Sequence, residues 1–383
     1  MIRHLCTLTT LLCLTASGSL RAGADDHYDV AIYGGSPSGL AAAIQAARLG
    51  SRVIVLEPDR HVGGMMAAGL TRSDVGDAKT TGGICREFFD RAAKHYDKLG
   101  VKRQSHWHFE PHLAGVIWGQ MLDEAGDVTI HTRARLTEVQ KDGEALTAAA
   151  FRLGDGRTLR VAGKVFIDAT YEGDLAAEAG APYLIGRESK DQFGEPHGLA
   201  KPDKLIQAYC FRLTVTADPE NRIPIEKPAG YDPTEFDLLA EYVKNKGITQ
   251  FVDDCLYAHG PVCGKLDGNA QWRCWVSTDW AQINADYPEG SWERREEIYR
   301  EYKRRTLGFV YFLQHDPSVP EVLRRDALRW GLPEDEHRDT GHVPFMLYVR
   351  EARRILGRYV FAELDATTNV TKPDSIGCGG YPI

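Results

Sequence analysis

At 383 residues the chain exceeds what one minimal core needs and suits two domains, or one domain interrupted by an insertion. Hydrophobic residues at 43% and charged residues at 26% are ordinary for a soluble globular protein. The formal charge of −8, with no basic block carrying interleaved aromatics, argues against nucleic acid as a partner and leaves the substrate open.

Residues 1–24 read as a secretory leader: Arg3 and His4 open it, Leu5 to Ala16 form an apolar run, and Ala22-Gly23-Ala24 matches small-x-small cleavage. The apolar run is shorter than the roughly 20 residues a membrane span needs. The other reading is a buried N-terminal helix. Cleavage removes Arg3 and Arg21 and no acid, so the mature chain carries −10. Nothing later reaches transmembrane length, which predicts a periplasmic or secreted protein. No twin-arginine pair is present, so any cofactor is acquired after translocation.

Tyr28 to Tyr33 is a short β-prone run apolar enough for a buried parallel strand. The turn Gly34-Gly35-Ser36-Pro37-Ser38-Gly39 follows, then a helical stretch from Leu40 to Gly50. A second strand, Arg52 to Leu56, ends in Glu57. Gly34 permits a tight turn off the strand, and Gly39 lets helix and strand approach closely. The helix N-terminus then offers free N–H groups and its positive dipole end to a pyrophosphate. Glu57 is placed to accept hydrogen bonds from ribose hydroxyls. Ser36 stands where the fingerprint has its middle glycine. A lone glycine triplet is weak evidence; its position between strand and helix, with an acid closing the next strand, is the context that confirms it.

Farther on, Gly82 to Leu99 and Phe109 to Ala125 are predicted helices, and Val128–Thr132, Arg135–Lys141, Ala145–Leu153 and Arg157–Val161 predicted strands. Lys164 to Thr170 reads as a return to the parallel sheet, and Gln207 to Thr216 as a strand of a second domain. Asp218 to Pro233 reads as a linker or surface loop. Ser291–Gln314 and Val319–Trp330 read as helices covering the substrate side. Cys255, Cys263 and Cys274 lie close in sequence, and either a disulfide within the trio or a set of free thiols fits.

After Glu57 come Pro58, Asp59, Arg60, His61 and Val62, then the pair Gly63-Gly64 and Met65. This resembles the extended fingerprint of the two-dinucleotide-binding-domain flavoproteins, which implies FAD rather than NAD. The runs Tyr33–Gly39, Arg60–Met65, Gly82–Phe89, Phe109–His112 and Val165–Leu175 resemble the bacterial FAD-dependent oxidoreductase family, many of whose members are secreted. Thr306–Gly308 and Tyr348–Arg354 are similar to it as well. The resemblance implies FAD held by Gly34, Gly35, Ser36, Pro37, Ser38, Gly39, Glu57, Pro58, Arg60, Gly63, Gly64 and Met65, helped by Asp168 to Asp174, notably Ala169, Thr170 and Asp174. It implies an α/β fold: a Rossmann-like FAD domain with a parallel sheet and a three-stranded β excursion (25–186), and an inserted α+β substrate or cap domain (187–345). Members of the family usually continue after a segment like Asp374–Gly377 into a returning piece of the FAD domain. The stop at Ile383 therefore leaves 346–383 as the start of an incomplete return. The activity implied is that of a dehydrogenase or oxidase acting on a small polar organic molecule, with an unknown electron acceptor. The competing expectation is a truncated, non-catalytic chain that binds nucleotide weakly.

The flavin would carry the redox step, leaving positioning and proton handling to the protein. Arg72, in the loop after Gly63-Gly64, is a candidate for binding an acidic substrate or else a surface arginine. His106 and His108, flanking Trp107, are candidate acids or bases, or structural groups. His106, His108 and His112 lack an acid at helical ligand spacing, so no metal is expected. Arg350, with Arg353 at i, i+3 on a predicted helix, is either a carboxylate clamp or part of a solvated basic face; His342 is a further candidate. Cys85 reads as a buried helix cysteine, with a redox or flavin-tethering role the alternative.

Overall fold

A computed structural model describes residues 26–368 and 371–377 of the chain; the predicted leader and Cys378 lie outside the described residues. The first half is one six-stranded sheet, β1 (Asp26–Tyr33), β2 (Val53–Glu57), β3 (Val128–Thr132), β4 (Arg135–Asp142), β5 (Ala145–Arg152) and β6 (Thr158–Asp168), in the order β3-β2-β1-β6-β5-β4. The strands β3, β2, β1 and β6 are parallel, while β5 and β4 continue the sheet antiparallel. Both faces of its middle strands are covered. Ile32, Val53 and Val55 face one core with the helices α1 (Pro37–Arg48), α3 (Gly83–Lys98) and α4 (Pro111–Asp123), while Ala31, Tyr33, Ile54 and Leu56 pack with Phe151 and Val161 in another. That two-sided burial is why β1 and β2 read as near-continuous apolar runs. The very short helix α2 (Gly64–Ala67) follows β2, and α5 (Asp174–Glu178) follows β6.

The sequence separates Arg157–Val161 from Lys164–Thr170, but β6 is a single strand through both. Its first residues pair with β5 and it then runs alongside β1 from Asp26↔Val161 to Tyr33↔Asp168, so an extended chain serves two neighbours without a turn. The excursion therefore extends the main sheet.

In the second half, Leu213–Thr216, Leu256–Val262 and Lys265–Ala270 make a three-stranded antiparallel sheet with Lys265–Ala270 in the middle. The long helix Trp292–His315 and the helix Glu321–Ala327 pack beside it around Phe211, Phe236, Phe251, Leu256, Phe309 and Leu313. The strand predicted from Gln207 begins only at Leu213, because Tyr209 and Cys210 bridge instead to Trp280 and Tyr348. The expected surface loop 218–233 is partly built in, since Arg222–Ile223 pairs with Leu332–Pro333 and Ile225 is buried. The helix predicted to open at Arg350 is absent. Residues 350–353 are irregular and Arg354–Ile355 pairs with Tyr183–Leu184, each arginine being drawn to a different partner. Among the described residues no helix is long and apolar enough to cross a membrane.

Candidate functional site

The turn between β1 and α1 is pressed against the end of β6. Gly34 has φ +104°, and a Cβ there would lie 2.6 Å from the backbone of Ala169 and Thr170. A Cβ on Gly39 would lie 2.2 Å from the Gly34 carbonyl oxygen, so the helix seats on the strand only without a side chain. Ser36, in the middle-glycine position, is buried and useful: its Oγ accepts from the Gly39 N–H at 3.3 Å and donates to the Ala169 carbonyl at 2.7 Å. It caps α1 while Pro37 opens it. With Leu40 N–H bonded to Ser36 O, the amides of Ser36 and Ser38 at the helix head remain for an anion.

Glu57 closes β2 and reaches back under this turn. Its Oε2 accepts from Gly35 N–H at 2.6 Å and its Oε1 from Asp59 N–H at 2.8 Å. Burial, aided by the charge of Asp59, pushes its carboxyl up to about 8 although those two donors oppose the rise. Burial likewise raises Asp59 to about 6 and Glu172 to about 7. The second glycine pair is tied to the first: Gly63 N–H donates to Gly35 O at 2.7 Å, and Gly63 and Gly64 hold φ of +102° and +48°. A Cβ on Gly64 would lie 2.4 Å from the Tyr171 hydroxyl, which accepts from Met65 N–H at 2.9 Å. Beyond β6, Asp168 accepts from Thr170 N–H, Thr170 Oγ1–H and Ala176 N–H, fixing the strand-to-helix turn.

These three loops open on one cavity of about 710 Å³, within the range of cofactor clefts. Of the residues expected to hold FAD, Gly34, Ser36, Glu57, Pro58, Arg60, Gly64, Ala169 and Thr170 line it. Gly35, Pro37, Ser38, Gly39, Gly63 and Met65 do not line it but belong to the turns that shape its wall. Asp174 also lies outside it, its carboxylate taken by Arg295 at 2.6 and 2.8 Å and by Arg353 at 2.7 Å. Other lining residues carry no local sign in the sequence, among them Arg133, Arg135 and Arg152 at one side, Tyr287, Trp292, Arg295 and Tyr299 from the second half, and Phe345 to Leu347. A side-chain-free cradle at Gly34 and Gly64, a capped helix head and flanking arginines fit the diphosphate of a dinucleotide.

The four catalytic candidates all lie outside this cavity, and two of them meet. Arg72 and His108 form a β-bridge, joined by Tyr257 and His259, which sequence reasoning passed over. Asp267, in the central strand of the second sheet, accepts from the N–H groups of Thr71 and Arg72 at 2.9 Å and pairs with Arg212 at 2.8 Å. Arg350 stands apart, bonded to Asp279 at 2.8 Å, with its guanidinium over the Tyr348 ring. His106 sits at the surface, 3.0 Å from Asp90 on α3. His112 joins a buried network instead: its Nδ1 is 2.7 Å from Glu336, and Lys265 Nζ lies among Glu110, Asp335 and Glu336. Glu110, His112 and Glu336 form a group of metal-ligand type, and the ammonium of Lys265 already supplies positive charge to both carboxylates. His342 Nδ1 is 2.9 Å from the Glu336 carbonyl oxygen. Cys255, Cys263 and Cys274 are free thiols, and Cys85 is exposed on α3 rather than buried: it shares the face of Phe88, Phe89 and Ala92 but lies in the first turn of the helix, ahead of its first buried residue.

Comparison with characterised protein sequences gives no match. Solved structures similar to part of the chain include the myxobacterial chondrochloren halogenase CndH, described as a variant of FAD-dependent halogenases (15% identity, TM-score 0.34, 43% of this chain and 41% of that one). A triple mutant of the flavin-dependent brominase Bmp2 aligns at 20% identity and TM-score 0.33, over 42% of this chain and 43% of its own. THI4 of Thermovibrio ammonificans aligns at 20% identity and TM-score 0.31, over 46% and 76%. The match thus spans less than half the length of the first two. The sequence model of the FAD dependent oxidoreductase family matches residues 29–383, and the chain belongs to that family, with FAD as its cofactor.

Proposed function

We propose that the chain is a dehydrogenase or oxidase that oxidises a small polar organic molecule outside the cytoplasm and passes the electrons to a separate acceptor. The observation that carries this is the cavity where the turns at Gly34, Glu57, Gly64 and Ala169 converge, in a chain of this family. In this reading 25–186 is the FAD domain, 187–345 the substrate or cap domain, and 346–383 the start of a return segment. When bound, FAD supplies a two-electron acceptor. The Ser36 and Ser38 amides at the head of α1, with Arg60, hold its diphosphate. Glu57 keeps the glycine turn in place through Gly35 and presents its remaining lone pairs to ribose hydroxyls. Tyr171 braces Gly64 and Met65, and so fixes the loop that leads towards Arg72. Export rests on the leader pattern of residues 1–24.

The deciding experiment is purification with added FAD. A yellow protein whose visible bands bleach under anaerobic reductant and return with an acceptor supports the reading. A colourless protein that takes up no FAD overturns it. Sequencing the N-terminus of exported material is expected to begin just after Ala24.

A further inference from the structure

Arg72, His108, Tyr257 and His259 cluster at the edge of the second sheet, facing the loop that descends from Gly63-Gly64. The Arg72 Nη1 lies 3.5 Å from the Tyr257 hydroxyl, and the Tyr257 and His259 rings meet edge to face at 3.8 Å. His108 is more than nine-tenths buried, yet its Nδ1 has no hydrogen-bond partner among the described residues; the Nε2 of His259 makes no hydrogen bond either, with the Asp253 carboxylate 3.6 Å away. Native proteins rarely leave such groups unpaired, because each costs free energy unless a ligand or water completes it. Opposite them is Gly260 with φ +68°; a Cβ there would lie 3.2 Å from both His108 Nδ1 and Arg72 Cβ, so the chain can pass this close to the imidazole only as glycine.

The charges nearby are mostly spoken for. Arg212 is paired with Asp267 and Arg350 with Asp279, both at 2.8 Å, and Arg103 lies 3.5 Å from Asp97. Among the described residues, Arg72 is the member of this group without a carboxylate partner. Burial and the neighbouring Arg72 charge hold both imidazoles below the ordinary histidine value, so near neutral pH Arg72 carries the cluster's positive charge, and the exposed carboxylate of Asp253 lies 3.6 Å from His259 Nε2. One guanidinium fork flanked by a phenol and two neutral imidazoles complements a single planar monoanion; a phosphate dianion would leave charge unmatched.

We infer that Arg72, His108, Tyr257 and His259 bind the carboxylate of a small organic acid, which makes the substrate of the proposed oxidoreductase an acid. This rests on the flavoenzyme reading given above. Arg72 supplies the charge, the Tyr257 hydroxyl shares it, and His108 and His259 complete the hydrogen bonds of the bound carboxylate.

The test uses the FAD-loaded full chain with glycolate and acetate as probes, ethylene glycol as the neutral counterpart of glycolate, and inorganic phosphate. Calorimetry gives affinity, and histidine Cε1 resonances report His108 and His259. The carboxylates are expected to saturate and move both resonances, with ethylene glycol and phosphate at least tenfold weaker. Arg72→Ala is expected to weaken glycolate at least tenfold and Arg72→Lys less. Tyr257→Phe, which removes only a hydroxyl, guards against a folding defect by showing a smaller loss at unchanged melting temperature. Equal binding of ethylene glycol, preference for phosphate, or no saturable shift of His108 overturns the inference even in a fully yellow protein. Failure to take up FAD instead sinks the underlying reading, and the visible spectrum separates the two.

Discussion

At Gly39 the difference between a hydrogen and a methyl group decides whether α1 can sit on β1. A Cβ would meet the Gly34 carbonyl oxygen at 2.2 Å and the Ala169 Cβ at 2.9 Å, and the first of these is backbone that cannot swing aside. Gly39→Ala is therefore expected to cost about 1–3 kcal/mol, the range for overpacking, and to abolish FAD uptake. Gly115→Ala makes the contrast. It lies inside α4 with nothing within 4 Å, and should stabilise by about 0.5–1 kcal/mol in the same denaturation assay. Glu57 sets a second test at this scale. Its buried carboxyl titrates at about 8 in the fold against an ordinary 4.5, so the folded state holds the proton more tightly than the unfolded one. The stability this contributes is complete below 4.5 and is lost as the pH rises through about 8. The melting temperature of FAD-free protein should fall across that window, and Glu57→Gln should flatten the slope; an unchanged slope would show that another group carries it.

The elements differ in how openly their sequence announced them. β1, α1 and β2 were legible because strand, cap, glycine and acid are close neighbours whose meaning is local. The strand break expected inside β6 was not there, since Gly163 and Lys164 stay extended between two partners that lie far away in the chain. Arg350, Arg353 and Arg354 suggested a helical face, yet their guanidinium groups end on Asp279, Asp174 and Glu188. Arg295 was even less visible: nothing in the long helix Trp292–His315 marks it as the partner of Asp174 at the start of α5. Those two elements and the Arg353 segment are held by one carboxylate, with the Arg295 side chain only 6% exposed. Asp174→Asn leaves a buried guanidinium unpaired, which typically costs about 3–5 kcal/mol. Urea denaturation measures it, and a loss under about 1 kcal/mol, as for a surface pair, would show that water replaces the carboxylate there.

For the whole molecule, the cavity is the feature that no single stretch could reveal. Six of the eight expected cofactor residues that line it come from the fingerprint turns, but Tyr287, Arg295, Tyr299 and Phe345 to Leu347 reach it from the second half of the chain, more than 200 positions beyond Gly34. A ligand that fills such a site binds the folded chain and not the unfolded one, adding about 2.7 kcal/mol at a hundredfold excess over its dissociation constant. Because both halves supply the wall, that gain should be shared by both. Hydrogen exchange with and without FAD is expected to slow at Gly34 to Met65 and at Tyr171, and equally around Tyr287 to Tyr299 and Phe345 to Leu347. The stretch around Trp272 and Trp275, exposed and outside the cavity, should exchange unchanged. Protection confined to the first half would mean that the second half closes the cavity only in the empty protein, and that FAD is held by the Rossmann turns alone.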